Sequence, residues 1–131
     1  MVERDPTALR LLAGVLEAAG LRVVGAAGSA AGAVAAVERS RPDVAVVDTR
    51  LPDGRGVQLC RQLRGGDPGL AVVLHAATVA PDEAAEAERA GAVRLVAKSA
   101  RGVELISAIR ACDARPPAAA GSVGGGVTWW G

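Results

Sequence analysis

The chain has no Phe and no Tyr, and its two Trp, Trp129 and Trp130, stand side by side near the end. Large aromatic side chains therefore cannot dominate the core. It must be built from Ala, Val, Leu and Ile, which the half-apolar composition supplies. Cysteine is scarce too. Cys60 and Cys112 lie far apart and form no Cys-x-x-Cys pair, so they are expected as reduced thiols rather than as a disulfide or metal site. No apolar run approaches the roughly 18 residues of a membrane span, and no signal peptide is visible, so a cytoplasmic protein without membrane contact is expected. Formal net charge is only +1 and the charges are interspersed. The basic stripe that nucleic acid demands is missing. No Gly-rich phosphate loop follows a strand, and the loops are too short to wall a substrate pocket, which argues against an enzyme.

What is present is alternation. At 131 residues the chain is long enough for one domain with a buried core. Asp5-Pro6 opens a helix, Leu9, Leu12, Val15 and Leu16 give it an apolar stripe, and Gly20 stops it. A strand is predicted over 21–26. Ser29 caps a second helix carrying Ala33, Val34 and Val37 on one face, and Arg41-Pro42 ends it. Val44 to Val47 is a short apolar run bounded by turn signals, the pattern of a buried parallel strand. A third helix follows Gly56, with Val57, Cys60 and Leu63 in its stripe and Gly65-Gly66 as its stop. Strands are predicted over 70–74 and 93–97, and helices over 81–90 and 103–111. Strand and helix in turn give a parallel sheet covered on both faces, a doubly wound flavodoxin-like α/β domain. The domain is drawn over 1–115. Residues 116–131 are read as a flexible Ala/Gly-rich tail, with 127–130 a short apolar end.

The chain is organised around Val44-Ala45-Val46-Val47-Asp48-Thr49-Arg50-Leu51-Pro52-Asp53-Gly54-Arg55-Gly56. Open α/β sheets bind ligands just beyond the carboxyl ends of their strands, which is where Asp48 falls. By itself Asp48 reads more readily as a helix cap or an Asx turn. With Pro52 four residues on and Gly56 eight residues on, the stretch resembles the phosphoacceptor strand and loop of response-regulator receiver domains. Arg50-Leu51-Pro52-Asp53-Gly54 followed by Val57-Gln58-Leu59-Cys60-Arg61 is especially similar to receivers of the LuxR-type class. The resemblance runs from about Val2 to about Cys112.

That resemblance implies a two-component phosphorelay protein that accepts a phosphoryl group on Asp48 from a sensor histidine kinase and signals to a partner protein. It is not an enzyme in its own right. Lys98 matches the phosphate-binding lysine, and Glu3 the first member of an acidic pair that, with Asp48, holds Mg²⁺. Four positions depart from the pattern or fall beside it. Arg4 stands where the second acidic residue is expected, and a cation there repels Mg²⁺. Asp5, one place along, is a partial substitute or a helix cap. His75 stands where Ser or Thr normally contacts the phosphoryl group, with Thr78 the nearest hydroxyl downstream; a lone His after an apolar run is more often a loop residue. Leu95 occupies the place of an aromatic switch, so an aromatic rotamer toggle is excluded. The alternative is a degenerate pseudo-receiver with the same fold, used for phosphorylation-independent interaction or dimerisation. A homodimer would use the face of the fourth helix, fifth strand and fifth helix. The LuxR-type output, a helix-turn-helix, is not in this chain.

The front of the chain poses a separate problem. A receiver opens with a central buried strand running into the acidic pair, and Val2-Glu3-Arg4-Asp5-Pro6 matches only its end and its loop. The reading adopted is that the natural start lies upstream of Met1 and the first strand is largely missing. Two other accounts are a weak fold, and a tail segment, 127–130, that takes the strand's place because Val, Thr and Trp favour β structure.

Overall fold

The structure, a computed structural model, describes residues 6–77, 79–98, 102–112 and 126–129. The elements are α1 (Pro6–Ala18), β1 (Arg22–Gly25), α2 (Ala30–Ser40), β2 (Val44–Asp48), β3 (Arg50–Leu51), β4 (Gly54–Arg55), α3 (Gly56–Gly66), β5 (Ala71–Ala76), α4 (Pro81–Arg89), β6 (Arg94–Ala97), α5 (Val103–Ala111) and β7 (Gly126–Trp129). Punctuation residues act where their chemistry predicts. Gly20 takes a positive φ of 86° just past α1, a conformation that Gly adopts without steric cost. Ser29 accepts the Gly32 N–H at 3.1 Å and caps α2. Pro81 opens α4, and Asp82 and Glu83 follow in its first turn, where carboxylates meet the positive end of the helix dipole.

Five strands form one parallel sheet in the order β1-β7-β2-β5-β6. Strands that are buried on both faces read as continuous apolar runs, and Val44, Ala45, Val46 and Val47 are all buried. Alternate residues serve opposite faces. Ala45 and Val47 pack with Leu59, Leu63 and Leu70 in one cluster. Val44 and Val46 pack with Leu16, Leu105 and Ile109 in the other. This is the doubly wound α/β fold, with α2, α3 and α4 on one side and α1 and α5 on the other. The core is aliphatic, as the composition demands. Cys60 and Cys112 are free and buried within it, and burial pushes the Cys60 thiol up to about 11.

The sheet position of the missing first strand is filled by β7, as the account of a tail segment taking its place has it, parallel to both neighbours: Val127 pairs with Val23 on one side and Val44 on the other. Two expectations are corrected. Residues 126–129 are therefore a sheet strand and not part of a flexible tail; Val, Thr and Trp fit a pleated slot between two strands whose edges would otherwise lack partners. The strand begins one residue earlier than the apolar end predicted over 127–130. The strand predicted over 70–74 runs instead from Ala71 to Ala76, so His75 lies within it and not in a loop. Its ladder continues because β2 and β6 flank it on both sides, His75 standing level with Asp48 and with Val96.

Candidate functional site

β2 carries Asp48 to the carboxyl edge of the sheet, where a switch in strand order leaves room for ligands in folds of this kind. The carboxylate is 7% exposed, and both of its oxygens have partners. Oδ1 accepts the Arg50 N–H at 3.0 Å. Oδ2 lies 2.7 Å from Lys98 Nζ. Lys98 follows β6, its N–H bonded to the Ala76 carbonyl, so β5 stands between the two strands that deliver the pair. A buried charge without a partner is costly, and the ammonium supplies the compensation here.

The loop after Asp48 is held on three sides. The Thr49 N–H donates to the His75 carbonyl at 3.2 Å, and the Gly56 N–H returns to the Thr49 carbonyl at 3.0 Å. β3 and β4 form a small antiparallel hairpin between them. A side chain at Gly56 would place its Cβ 2.2 Å from the Asp48 carbonyl oxygen, so only glycine allows the chain to close this tightly. Asp53, at the hairpin tip, accepts the Ala30 N–H at 2.8 Å and the Ala31 N–H at 3.2 Å. It thus caps α2 from outside the helix, and those two N–H groups hold its carboxyl below the ordinary carboxylate value. Arg55 forks onto Glu86 of α4, with Nη1–Oε1 at 2.9 Å and Nη2–Oε2 at 3.0 Å. The fork raises the arginine pKa and lowers that of the glutamate.

A cleft of about 490 Å³ opens beside this loop, with Leu51, Val57, Leu74 and Leu95 in its lining and Arg55 and Glu86 among its polar groups. The short loops therefore do leave a cavity, and Leu95, half-buried on β6, contributes to it.

Of the residues singled out from sequence, Asp48, Lys98 and His75 come together at one edge of the sheet, and His75 is 4% exposed. Glu3, Arg4, Asp5 and Thr78 lie outside the described residues. Among the described residues no group of three or more His, Cys, Asp or Glu side chains is arranged to hold a metal ion. Asp48 offers a single carboxylate whose oxygens are both engaged. The described residues alone thus do not make a divalent-cation site, which requires several hard oxygen ligands. Sequence reasoning missed the roles of Asp53 and Arg55. The Pro-Asp-Gly turn was visible, but its partners lie 22 to 31 residues away, and no local pattern encodes such a distance.

The described chain is thus a parallel doubly wound sheet with a carboxylate–lysine pair at its carboxyl edge. The response regulator receiver domain matches residues 1–110, and the chain belongs to that family: it is a receiver domain of the two-component response-regulator type. It is 44% identical over 90 residues to the DNA-binding transcriptional activator DevR/DosR of Mycobacterium tuberculosis, covering 69% of this chain and 42% of that protein. It is 34% identical over 120 residues to the transcriptional regulatory protein KdpE of the same species, covering 92% of this chain and 52% of that protein. Among solved structures, the BeF3-activated N-terminal receiver domain of Klebsiella pneumoniae RstA superposes with a TM-score of 0.76 at 28% identity, covering 84% of this chain and 92% of that one. The signal receiver domain of the putative response regulator NarL from Mycobacterium tuberculosis gives 0.73 at 26%, covering 85% and 91%. The chain spans about half or less of the length of the curated relatives it matches. Among the described residues no helix is long and apolar enough to cross a membrane.

Proposed function

We propose that Asp48 is the phosphoacceptor of this receiver and that Lys98 binds the incoming phosphoryl group. The observation that carries the reading is the 2.7 Å contact between Lys98 Nζ and Asp48 Oδ2 at the carboxyl edge of the sheet. In the proposed step an Asp48 carboxylate oxygen attacks the phosphorus of a phosphohistidine on a sensor kinase. The O–P bond forms as the N–P bond breaks, and the imidazole leaves with the bonding pair and takes a proton from water. The ammonium of Lys98 exchanges its carboxylate partner for the phosphoryl oxygens, where negative charge is concentrated. His75, level with Asp48 on the next strand, is the neighbour on the side where a hydroxyl serves in the family.

Mg²⁺, when bound, neutralises phosphoryl charge. The carboxylates that would have to complete its site with Asp48 are Glu3 and Asp5, and Arg4 between them opposes it. The output is a partner protein that reads the phosphorylated surface, or a second copy meeting the face of α4, β6 and α5. A signalling module working in the cytoplasm fits these features better than an enzyme does.

Phosphorylation with acetyl phosphate, followed by intact mass, tests the reading. A gain of one phosphoryl group that is lost in Asp48→Asn is the expected result. No gain at any Mg²⁺ concentration, or an undiminished gain in Asp48→Asn, would remove Asp48 from the role and leave a phosphorylation-independent interaction module.

A further inference from the structure

The unusual feature of this sheet is that one of its interior strands comes from the far end of the described chain. β1 and β2 do not pair with each other; each pairs with β7 alone on its inner side. The body from α1 to α5 therefore presents a slot with two facing strand edges, and unpaired edges are templates for pairing with another chain. The occupant is a short segment, Gly126–Trp129. It is joined to α5, which ends at Ala111, through residues 112–125, a stretch rich in Ala, Gly and Pro that includes Pro116-Pro117, Ala118-Ala119-Ala120-Gly121 and Gly124-Gly125.

We propose that this slot is a strand-acceptor site through which two copies of the chain exchange β7, each copy inserting Gly126–Trp129 between β1 and β2 of the other. The closed monomer and the exchanged dimer contain the same backbone pairings, so the balance between them is set by the tether. Such an exchange is reciprocal and closes on itself, giving a two-fold dimer in which both slots are filled. Short tethers hold their ends at effective concentrations in the millimolar range. The closed form therefore prevails at micromolar concentration, and exchange sets in as the chain concentration approaches about 1 mM.

The geometry says how to invert that balance. α5 packs over β5 and β6, whereas β7 lies beyond β2. At about 4.8 Å per strand and a layer separation of about 10 Å, the tether must span on the order of 14 Å. With residues 114–125 removed, only Asp113 joins Cys112 to Gly126, and a fully extended connection reaches only about 7 Å. β7 can then enter its own slot no longer, but it can still enter that of a second copy.

The test is light scattering on a sizing column, with hydrogen exchange on the β1 and β2 amides. The 114–125 deletion is expected to be a dimer at about 10 µM, where the full chain is a monomer, with both strands protected. Val127→Pro in the deletion removes a backbone donor from the inserted strand and abolishes that dimer. A monomeric deletion variant with protected strands overturns the proposal, and so does a dimer that survives Val127→Pro, which would point instead to the α4, β6 and α5 face. In case the deletion fails to fold, unlabelled and ¹⁵N-labelled full chains are refolded together at about 1 mM and read by native mass spectrometry. Dimers of mixed mass that are lost when both chains carry Val127→Pro support exchange, and mixed dimers that survive that substitution overturn it. Monomers alone overturn it. Neither arm depends on phosphoryl chemistry at Asp48.

Discussion

Lys98 and Asp48 lie 50 residues apart in sequence, yet Nζ and Oδ2 meet at 2.7 Å. The strands that deliver them, β2 and β6, are not neighbours. Their meeting at the sheet edge depends on β5 between them keeping both in register. If Lys98 serves the incoming phosphoryl group, Lys98→Met should slow labelling by acetyl phosphate by roughly 10²–10³-fold, the usual effect of deleting one preorganised charge-stabilising group. Intact mass against time measures it. An unchanged rate would make Lys98 only a structural partner of Asp48.

Gly56→Ala tests how tightly the loop closes on β2. The added methyl would lie 2.2 Å from the Asp48 carbonyl oxygen, and backbone cannot move aside as a flexible side chain can. A loss of about 1–3 kcal/mol is expected from the overpacking, together with slower labelling because the carboxylate shifts. Urea denaturation and the labelling assay read the two effects separately.

Val127→Pro in the full chain tests β7 as a central strand. Proline removes a backbone donor and is tolerated in sheets only at edges, strand starts and bulges. Each buried backbone group left without its partner costs about 1–3 kcal/mol, so a lowered denaturation midpoint is expected. Removal of residues 116–131 should be worse still, since it strips β1 and β2 of a shared neighbour. Equal midpoints for the truncated and full chains would mean that β7 contributes nothing.

Asp53 should make stability depend on acid. The α2 N–H groups depress its folded pKa below the ordinary 3.8. A depressed carboxylate stabilises the fold above its unfolded pKa and stops doing so as pH falls through the folded value. The advantage of the native chain over Asp53→Asn should thus be complete at pH 7, begin to fade near pH 4, and vanish in stronger acid. Thermal melts of both proteins across that range check it; a constant difference would mean that the charge is not what caps α2.

Arg4 should oppose metal-assisted phosphorylation. Its sequence position beside Glu3 puts a permanent cation where an acidic ligand is expected. At surface-like screening two unit charges interact by about 4 kcal/mol at 4 Å, and about 1.4 kcal/mol is already tenfold in affinity. Arg4→Asp is expected to tighten Mg²⁺ binding at least tenfold by calorimetry and to speed labelling of Asp48. If the native chain binds Mg²⁺ and labels as readily as the variant, Arg4 is no obstacle.

Much of this protein could be read along the chain because its determinants are local. Apolar runs of β length alternate with stripes of helical period, and Ser29, Gly20 and Pro81 mark ends through bonds or dihedrals within a few residues. The same locality identified Asp48 as a strand-end carboxylate, and its spacing to Pro52 and Gly56 carried the family resemblance. Tertiary structure decided the rest. His75 belongs to a strand because flanking ladders extend β5 past its apolar run. Asp53 caps a helix 22 residues upstream, and Arg55 forks onto one 31 residues downstream, contacts that arise only once the sheet has brought three loops to one edge. Above all, the place of Gly126–Trp129 is not written in its own composition, which says only that it favours β structure. Two strand edges elsewhere in the chain, each with hydrogen-bonding groups to satisfy, put it between them.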